Sequence, residues 1–191
     1  MWGLVEDNAI TKIINQPKGM VIGDTRHSRK IFSLWSEAER NAIGIYEVIF
    51  DNTNKKSEEY YNNTNQTFAF ADGAVTASYG SATANALADV TDEDGKVTPG
   101  LKSKKKENIK LQASGLLTPT DWYVIKATEV ESYSVPGAIT TYRANVRTKS
   151  NDMEVLIDAC GTVDELAALY EHTRQEDGSV TRPLGEFPEA V

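Results

Sequence analysis

The feature that most constrains this 191-residue sequence is a change of pattern between residues 89 and 100. Before it, apolar residues sit in short runs separated by turn signals. After it, they recur at helical spacing. The stretch between is acidic and closes on Thr98-Pro99-Gly100. Runs of strands followed by runs of helices specify an α+β protein rather than alternating βαβ units. The expected organisation is therefore a β-rich module with one short helix over residues 1–88 and an acidic linker over 89–100. A region of several short helices over 101–174 and a flexible tail over 175–191 complete it.

The first module carries several hairpin signals. Gly3-Leu4-Val5 and Ile10-Thr11-Lys12-Ile13-Ile14 flank the turn-like Glu6-Asp7-Asn8-Ala9. Met20-Val21-Ile22-Gly23 reads as a short buried strand. Ser36 precedes Glu37 and Glu39 as an N-cap precedes an acidic first turn, and Gly44 is placed to stop that helix. Ile45-Tyr46-Glu47-Val48-Ile49-Phe50 is rich in β-branched and aromatic residues, which favour a pleated surface. Residues 51–65 are polar and read as a loop. Asp72-Gly73, between two apolar runs, suits the positive backbone angles of a tight hairpin turn.

In the second half, Ile109, Leu111, Ala113, Leu116 and Leu117 form a helical stripe. Lys102, Lys104, Lys105 and Lys106 crowd its start, against the helix dipole. Either the helix begins nearer Lys105 or something acidic lies close. Thr118-Pro119-Thr120-Asp121 predicts the next helix, with Thr118 as cap and Pro119 in the first position. Pro136 opens a third helix, with Ile139, Tyr142 and Val146 on one face. Ser150 is expected to cap a short fourth, bearing Met153, Leu156, Ile157 and Cys160. Thr162-Val163-Asp164-Glu165 is a capping box for a fifth. Gly178, Pro183, Gly185 and Pro188 forbid a continuous helix after it.

Several chemistries lack their residues. Cys160 has no second cysteine to pair with, and Cys160, His27 and His172 lack metal-ligand spacing. Asp92-Glu93-Asp94-Gly95 fails as a calcium loop because Val90 and Leu101 fall where oxygen ligands are needed. No glycine-rich phosphate loop occurs. The Lys102–Lys106 cluster has no interleaved aromatics, so nucleic acid is not an expected partner. No apolar run reaches the ~20 residues of a membrane span, and the N-terminus lacks a secretory leader's basic start and apolar stretch. His27 and His172 read as surface residues and Cys160 as a small core residue, so we expect no enzyme, no cofactor and no metal; the alternative, a small hydrolase or ligand-binding domain, needs a polar cleft around His27, Cys160 or His172. Asn62-Asn63-Thr64 and Asn65-Gln66-Thr67 match glycosylation sequons but read as a polar loop.

The formal net charge of −8 is uneven: −5 over residues 1–99, +5 over 100–150 and −8 over 151–191. The basic block holds Arg143 and Arg147, i and i+4 on one helix face, with Tyr142 beside them. Guanidinium groups so placed make bidentate contacts to carboxylates, either in the acidic blocks or on an acidic partner. The other reading is a solvated face. Asp121 is also placed to receive Arg143 or Arg147, and Trp122 to pack on Tyr142 or Ile139.

Leu116-Leu117-Thr118-Pro119-Thr120-Asp121-Trp122, followed by Tyr142-Arg143-Ala144-Asn145-Val146-Arg147, resembles the LLxxTDW … YRxxLR signature of tailed-bacteriophage tail-fibre assembly and tail assembly chaperone-like proteins. The likeness spans roughly residues 105–170. Val146 stands where that signature has Leu, the Pro/Trp-rich ending of many such proteins is missing, and the β-rich module is unexplained by it. The resemblance implies a small protein that acts by protein–protein binding, without catalysis or cofactor, on a tail-fibre or baseplate partner. It would work in the host cytoplasm during assembly or stay in the virion tail, with homo-oligomers among its possible states. Arg143, Arg147, Tyr142 and Trp122 are the partner-binding candidates.

Overall fold

In the computed structural model, which describes residues 1–63 and 66–191, the chain is an α+β protein. Strands of a curled sheet fill the first half and helices the second. It forms two compact units, Met1–Thr83 and Ala84–Val191. Both sequons, and the end of the expected 51–65 loop, include a position outside the described residues.

The elements of the first unit, in order, are β1 (Trp2–Glu6), β2 (Ala9–Ile14), β3 (Met20–Ile22), β4 (Thr25–His27), α1 (Ile31–Leu34), α2 (Glu37–Asn41) and β5 (Ile45–Asp51). They are followed by β6 (Tyr61–Asn62), β7 (Thr67–Ala71), β8 (Ala74–Ser78) and, at the unit's end, β9 (Thr83–Ala84). The main sheet has the order β2-β1-β5-β8-β7. All its pairings are antiparallel except β5 with β8. Both predicted hairpins form on positive-φ pairs: Asp7 and Asn8 (φ 50° and 60°), and Asp72 and Gly73 (φ 51° and 74°).

Each face of this sheet carries an apolar cluster, and one residue decides which side chain faces which way. Leu4 pairs with Lys12 but Val5 pairs with Ile10, so Thr11 is an extra residue in β2. Without it, Ile10 and Ile14 would share a face, because side chains alternate. With it, Ile14 joins Leu4, Ile45, Ile31 and Phe32 on one side. Ile10 joins Val5, Val48, Val75 and Ala77 on the other. The curl brings the rings of Tyr46 and Phe70 to 4.8 Å although β8 lies between their strands. Gly3 leaves room for Val75, whose methyls would stand 3.0 and 3.1 Å from an added Cβ.

Ser36 caps α2 as expected, and the Glu39 side chain bonds back to the Ser36 N–H to make it a capping box. Gly44 follows at φ +80°, its carbonyl accepting the Val5 N–H at 2.8 Å. A Cβ there would run into the Val5 carbonyl oxygen. Met20–Ile22 is a strand but not a buried one, since Val21 is exposed and only Met20 and Ile22 lean on the core. Residues 51–65 are not uniformly solvated either, for Tyr60 and Tyr61 are buried.

The second unit contains β10 (Val90–Thr91), β11 (Val97–Thr98), α3 (Leu101–Leu117), a 3-10 turn (Thr118–Thr120), α4 (Asp121–Glu129), α5 (Gly137–Ala159), α6 (Val163–Ala168), β12 (Thr173–Arg174) and β13 (Val180–Thr181). Three expectations are corrected here. Residues 89–100 are a hairpin, not a featureless linker, and they serve α3: Asp89 accepts the Gly100 N–H at 2.8 Å, while Ala86 and Leu87 carbonyls accept from Leu101 and Lys102. These bonds occupy amides that a helix start leaves orphaned, so α3 begins at Leu101 rather than near Lys105.

The third and fourth predicted helices are one. Ser150 lies in the buried stripe of α5 with Ile139, Tyr142, Val146, Met153 and Ile157, and no Gly or Pro interrupts the chain there. Residues 175–191 are not a loose tail: β12 and β13 pair, Leu184 is fully buried, and its N–H donates to the Leu169 carbonyl at 3.0 Å. The Thr162/Glu165 capping box forms as expected.

Candidate partner-binding face

The basic start of α3 answers the acidic end of α5. Lys106 reaches Asp158 at 2.8 Å, Lys110 reaches Glu154 at 3.2 Å, and Lys102 donates to the Asp158 carbonyl at 2.9 Å. The helices are therefore antiparallel, and Asp158 holds the Lys106 ammonium above the ordinary lysine range. This is the nearby acid that the lysine crowding required. The spacing held the signal: Lys102, Lys106 and Lys110 repeat every four residues, as do Glu154 and Asp158. Lys105 is buried with its ammonium 4.1 Å from the centre of the Tyr170 ring.

At the opposite end of the helix pair, residues 116–122 meet residues 142–147. Tyr142 and Val146 pack on Ala113, with Leu116, Leu117 and Phe187 around them. The Tyr142 hydroxyl donates to the Leu116 carbonyl at 3.4 Å. Arg143, 8% exposed, donates from Nη1 to the Leu117 carbonyl at 3.0 Å and to Thr120 Oγ1 at 2.6 Å. Its Nη2 lies 2.7 Å from Asp121 Oδ1. The Leu117 carbonyl belongs to the last turn of α3, where a cation is favoured by the dipole and by open acceptors. Arg143 thus closes α3, holds the 3-10 turn and fixes the start of α4.

This geometry corrects the sequence reading at three of the four candidate residues. Arg143 is a buried clasp, not half of a solvated arginine face. Tyr142 is core. Trp122 does not pack on Tyr142; it lies over Tyr123, with ring centres 3.9 Å apart, and stays 49% exposed. Thr118 does not cap α4: it is helical, its hydroxyl donates to the Ser114 carbonyl, and the 3-10 turn carries the chain into α4. Arg147 keeps the expected exposed position, and its guanidinium donates to the Arg143 carbonyl at 3.4 Å.

Beside the clasp runs a groove of about 420 Å³, lined by Lys110, Ser114, Asp121, Arg147, Ser150 and Glu154 among others. Helix α4, which starts at its edge, buries none of its residues. It leaves Trp122, Val124 and Ile125 at 49%, 42% and 56% exposure. Trp122 and Ile125 are i and i+3, on one face.

The residues weighed for chemistry occupy other settings. His27 meets Trp35 edge to face at 5.7 Å. Cys160 is buried, its thiol donates to the Leu156 carbonyl, and burial raises its pKa, which disfavours the nucleophilic thiolate. His172 is exposed. Among the described residues no group of three or more His, Cys, Asp or Glu is placed to hold a metal ion, and no helix is long and apolar enough to cross a membrane. No protein-family model, curated protein or solved structure matches the chain.

Proposed function

We propose that this chain acts by binding another protein, as a tail-fibre assembly or accessory protein of a tailed bacteriophage, without catalysis or cofactor. The observation that carries the binding part is α4, an ordered helix that buries none of its residues and presents Trp122, Val124 and Ile125 to solvent. Exposed apolar clusters of this kind mark interaction sites, and Trp and Arg are the side chains that most often supply interface energy. Arg147 stands nearby on the rim of the groove, free to take a partner carboxylate.

The partner class rests on the resemblance of residues 116–122 and 142–147 to the phage signature. The partner is then a tail-fibre or baseplate protein, met in the host cytoplasm or in the virion tail, and neither nucleic acid nor membrane is involved. A chaperone of this kind covers apolar or strand-edge surface on a fibre that has yet to pair with itself.

The test is co-expression with the adjacent fibre protein. The expected result is a co-eluting complex and more soluble fibre, both lost with Trp122→Ser plus Ile125→Ser. No complex and unchanged fibre solubility would overturn the reading. Stoichiometric recovery from purified virions by mass spectrometry would replace the transient role with that of a tail component.

A further inference from the structure

The first unit holds a second surface, unrelated to α4, whose chemistry points to a different occupant. A cleft of about 740 Å³ opens between Gln16-Pro17 and α1, floored by the buried Phe32 and rimmed by Leu34, which is 73% exposed. Arg29 and Lys30 line it. Lys18 and Arg26 are exposed on the adjoining loop and hairpin. None of these four cations is in an ion pair among the described residues. Against them the stretch 18–30 offers only Asp24. An apolar slot with an unneutralised basic rim, in a chain of net charge −8, is suited to an acidic segment with aliphatic flanks.

The chain carries such a segment. Residues 88–99 are exposed without interruption, yet they are ordered as the β10–β11 hairpin. Its tip is Asp92-Glu93-Asp94-Gly95, and Val90 and Val97 stand 52% and 55% exposed on its two strands. Asp92 spends its carboxylate on the Asp94 and Lys96 amides, which shapes the turn and leaves Glu93 and Asp94 facing outward. The β12–β13 hairpin fits less well: its tip has two acids, its first strand ends in Arg174, and it offers one exposed valine, Val180.

We propose that the β10–β11 hairpin of one copy docks in the Arg29/Lys30 cleft of a second copy. The two surfaces differ, so the contact is heterologous and runs head to tail, giving short chains or rings rather than a two-fold dimer. A hairpin in a slot buries less than the roughly 1,200 Å² of a stable complex, so association is weak, and its charges make it salt-sensitive.

Sedimentation velocity over a concentration series tests this with the full chain. Wild type is expected to show a rising sedimentation coefficient at low salt, with association weakened about tenfold or more at high salt. R29E/K30E and the charge-neutralised E93Q/D94N, both at exposed positions, should each stay monomeric and keep the wild-type circular dichroism and Tm. Mixed in equal amounts, they should form a heterodimer that does not grow, because one retains the hairpin and the other the cleft. Wild type that is monomeric throughout, as when the hairpin docks within its own chain, would overturn the proposal. So would association untouched by either variant, or variants whose mixture fails to pair.

Discussion

The Arg143 guanidinium sits 2.7 Å from the Asp121 carboxylate with the arginine almost wholly buried and the aspartate half exposed. The pair ties the second turn of α5 to the first turn of α4, while the other terminal nitrogen closes the end of α3. Because the carboxylate is open to water, most of the energy resides in the arginine's neutral acceptors. Arg143→Ala, which takes the guanidinium from the Leu117 carbonyl and Thr120 and leaves them only the 2.7 Å bond between themselves, is expected to cost about 1.5–3 kcal/mol. Asp121→Asn should cost about 1 kcal/mol or less. Urea unfolding of both and of the double variant measures each loss and their coupling.

Trp122 and Arg147 should behave in the opposite way. Neither is buried, so Trp122→Ser and Arg147→Ala should shift stability by about 1 kcal/mol or less. Each should weaken capture of the proposed fibre partner. A loss of stability as large as that of Arg143→Ala would place them in the fold rather than on a binding surface.

Leu184 carries the clearest test of the last seventeen positions. It is fully buried, so Leu184→Ala should cost about 2–4 kcal/mol by thermal or chemical unfolding. A variant as stable as wild type would restore the expectation of a loose tail.

The pH dependence has a definite sign at Asp89. Hydrogen bonds from the Ser103 side chain and the Gly100 N–H hold its carboxyl below the ordinary aspartate range. A group whose folded pKa is depressed adds stability above its unfolded pKa, near 4 for Asp, and loses it as pH falls through the lower folded value. Asp89→Asn should therefore lower stability at neutral pH and shallow the acid-side decline. A variant whose pH profile parallels wild type would remove Asp89 from that account.

Gly44→Ala should be costly because two constraints coincide. The backbone is at φ +80°, and the obstructing atom is the carbonyl oxygen of Val5, on a central strand that cannot swing aside. A loss above about 2 kcal/mol in unfolding experiments is expected, well beyond the ~1 kcal/mol of an open left-handed site.

What could be read in the sequence was what neighbours in the chain decide. The Ser36 cap, the Thr162 capping box, the Asp72-Gly73 turn and the strand at Ile45 depend on contacts within a few residues, and each forms. Ser150 misled because a residue suited to capping is equally a small polar residue tolerated inside a helix. The clasp was half legible. Asp121 was named as a receiver for Arg143, but that Arg143 would be buried depends on the Leu117 carbonyl arriving from another helix. Tyr142 keeps its place on the stripe with Ile139 and Val146, whereas Trp122, expected to pack on Tyr142 or Ile139, stands half exposed over Tyr123. The hairpin inside 89–100 was hidden by its acidity, which serves a turn as readily as a linker.

The Thr11 bulge makes odd and even a structural variable in this protein. Removing one residue from β2 would not simply delete a hydroxyl. It would exchange inside for outside along one arm of the strand, setting Ile10 against the layer of Leu4 or Ile14 against that of Val75. Single-residue insertions and deletions should therefore divide sharply by place, tolerated in the polar stretch after Asp51 and ruinous between Ala9 and Ile14. A deletion scan read out by soluble yield would trace that boundary, and two compensating changes in β2, restoring parity, should recover the fold where either alone does not.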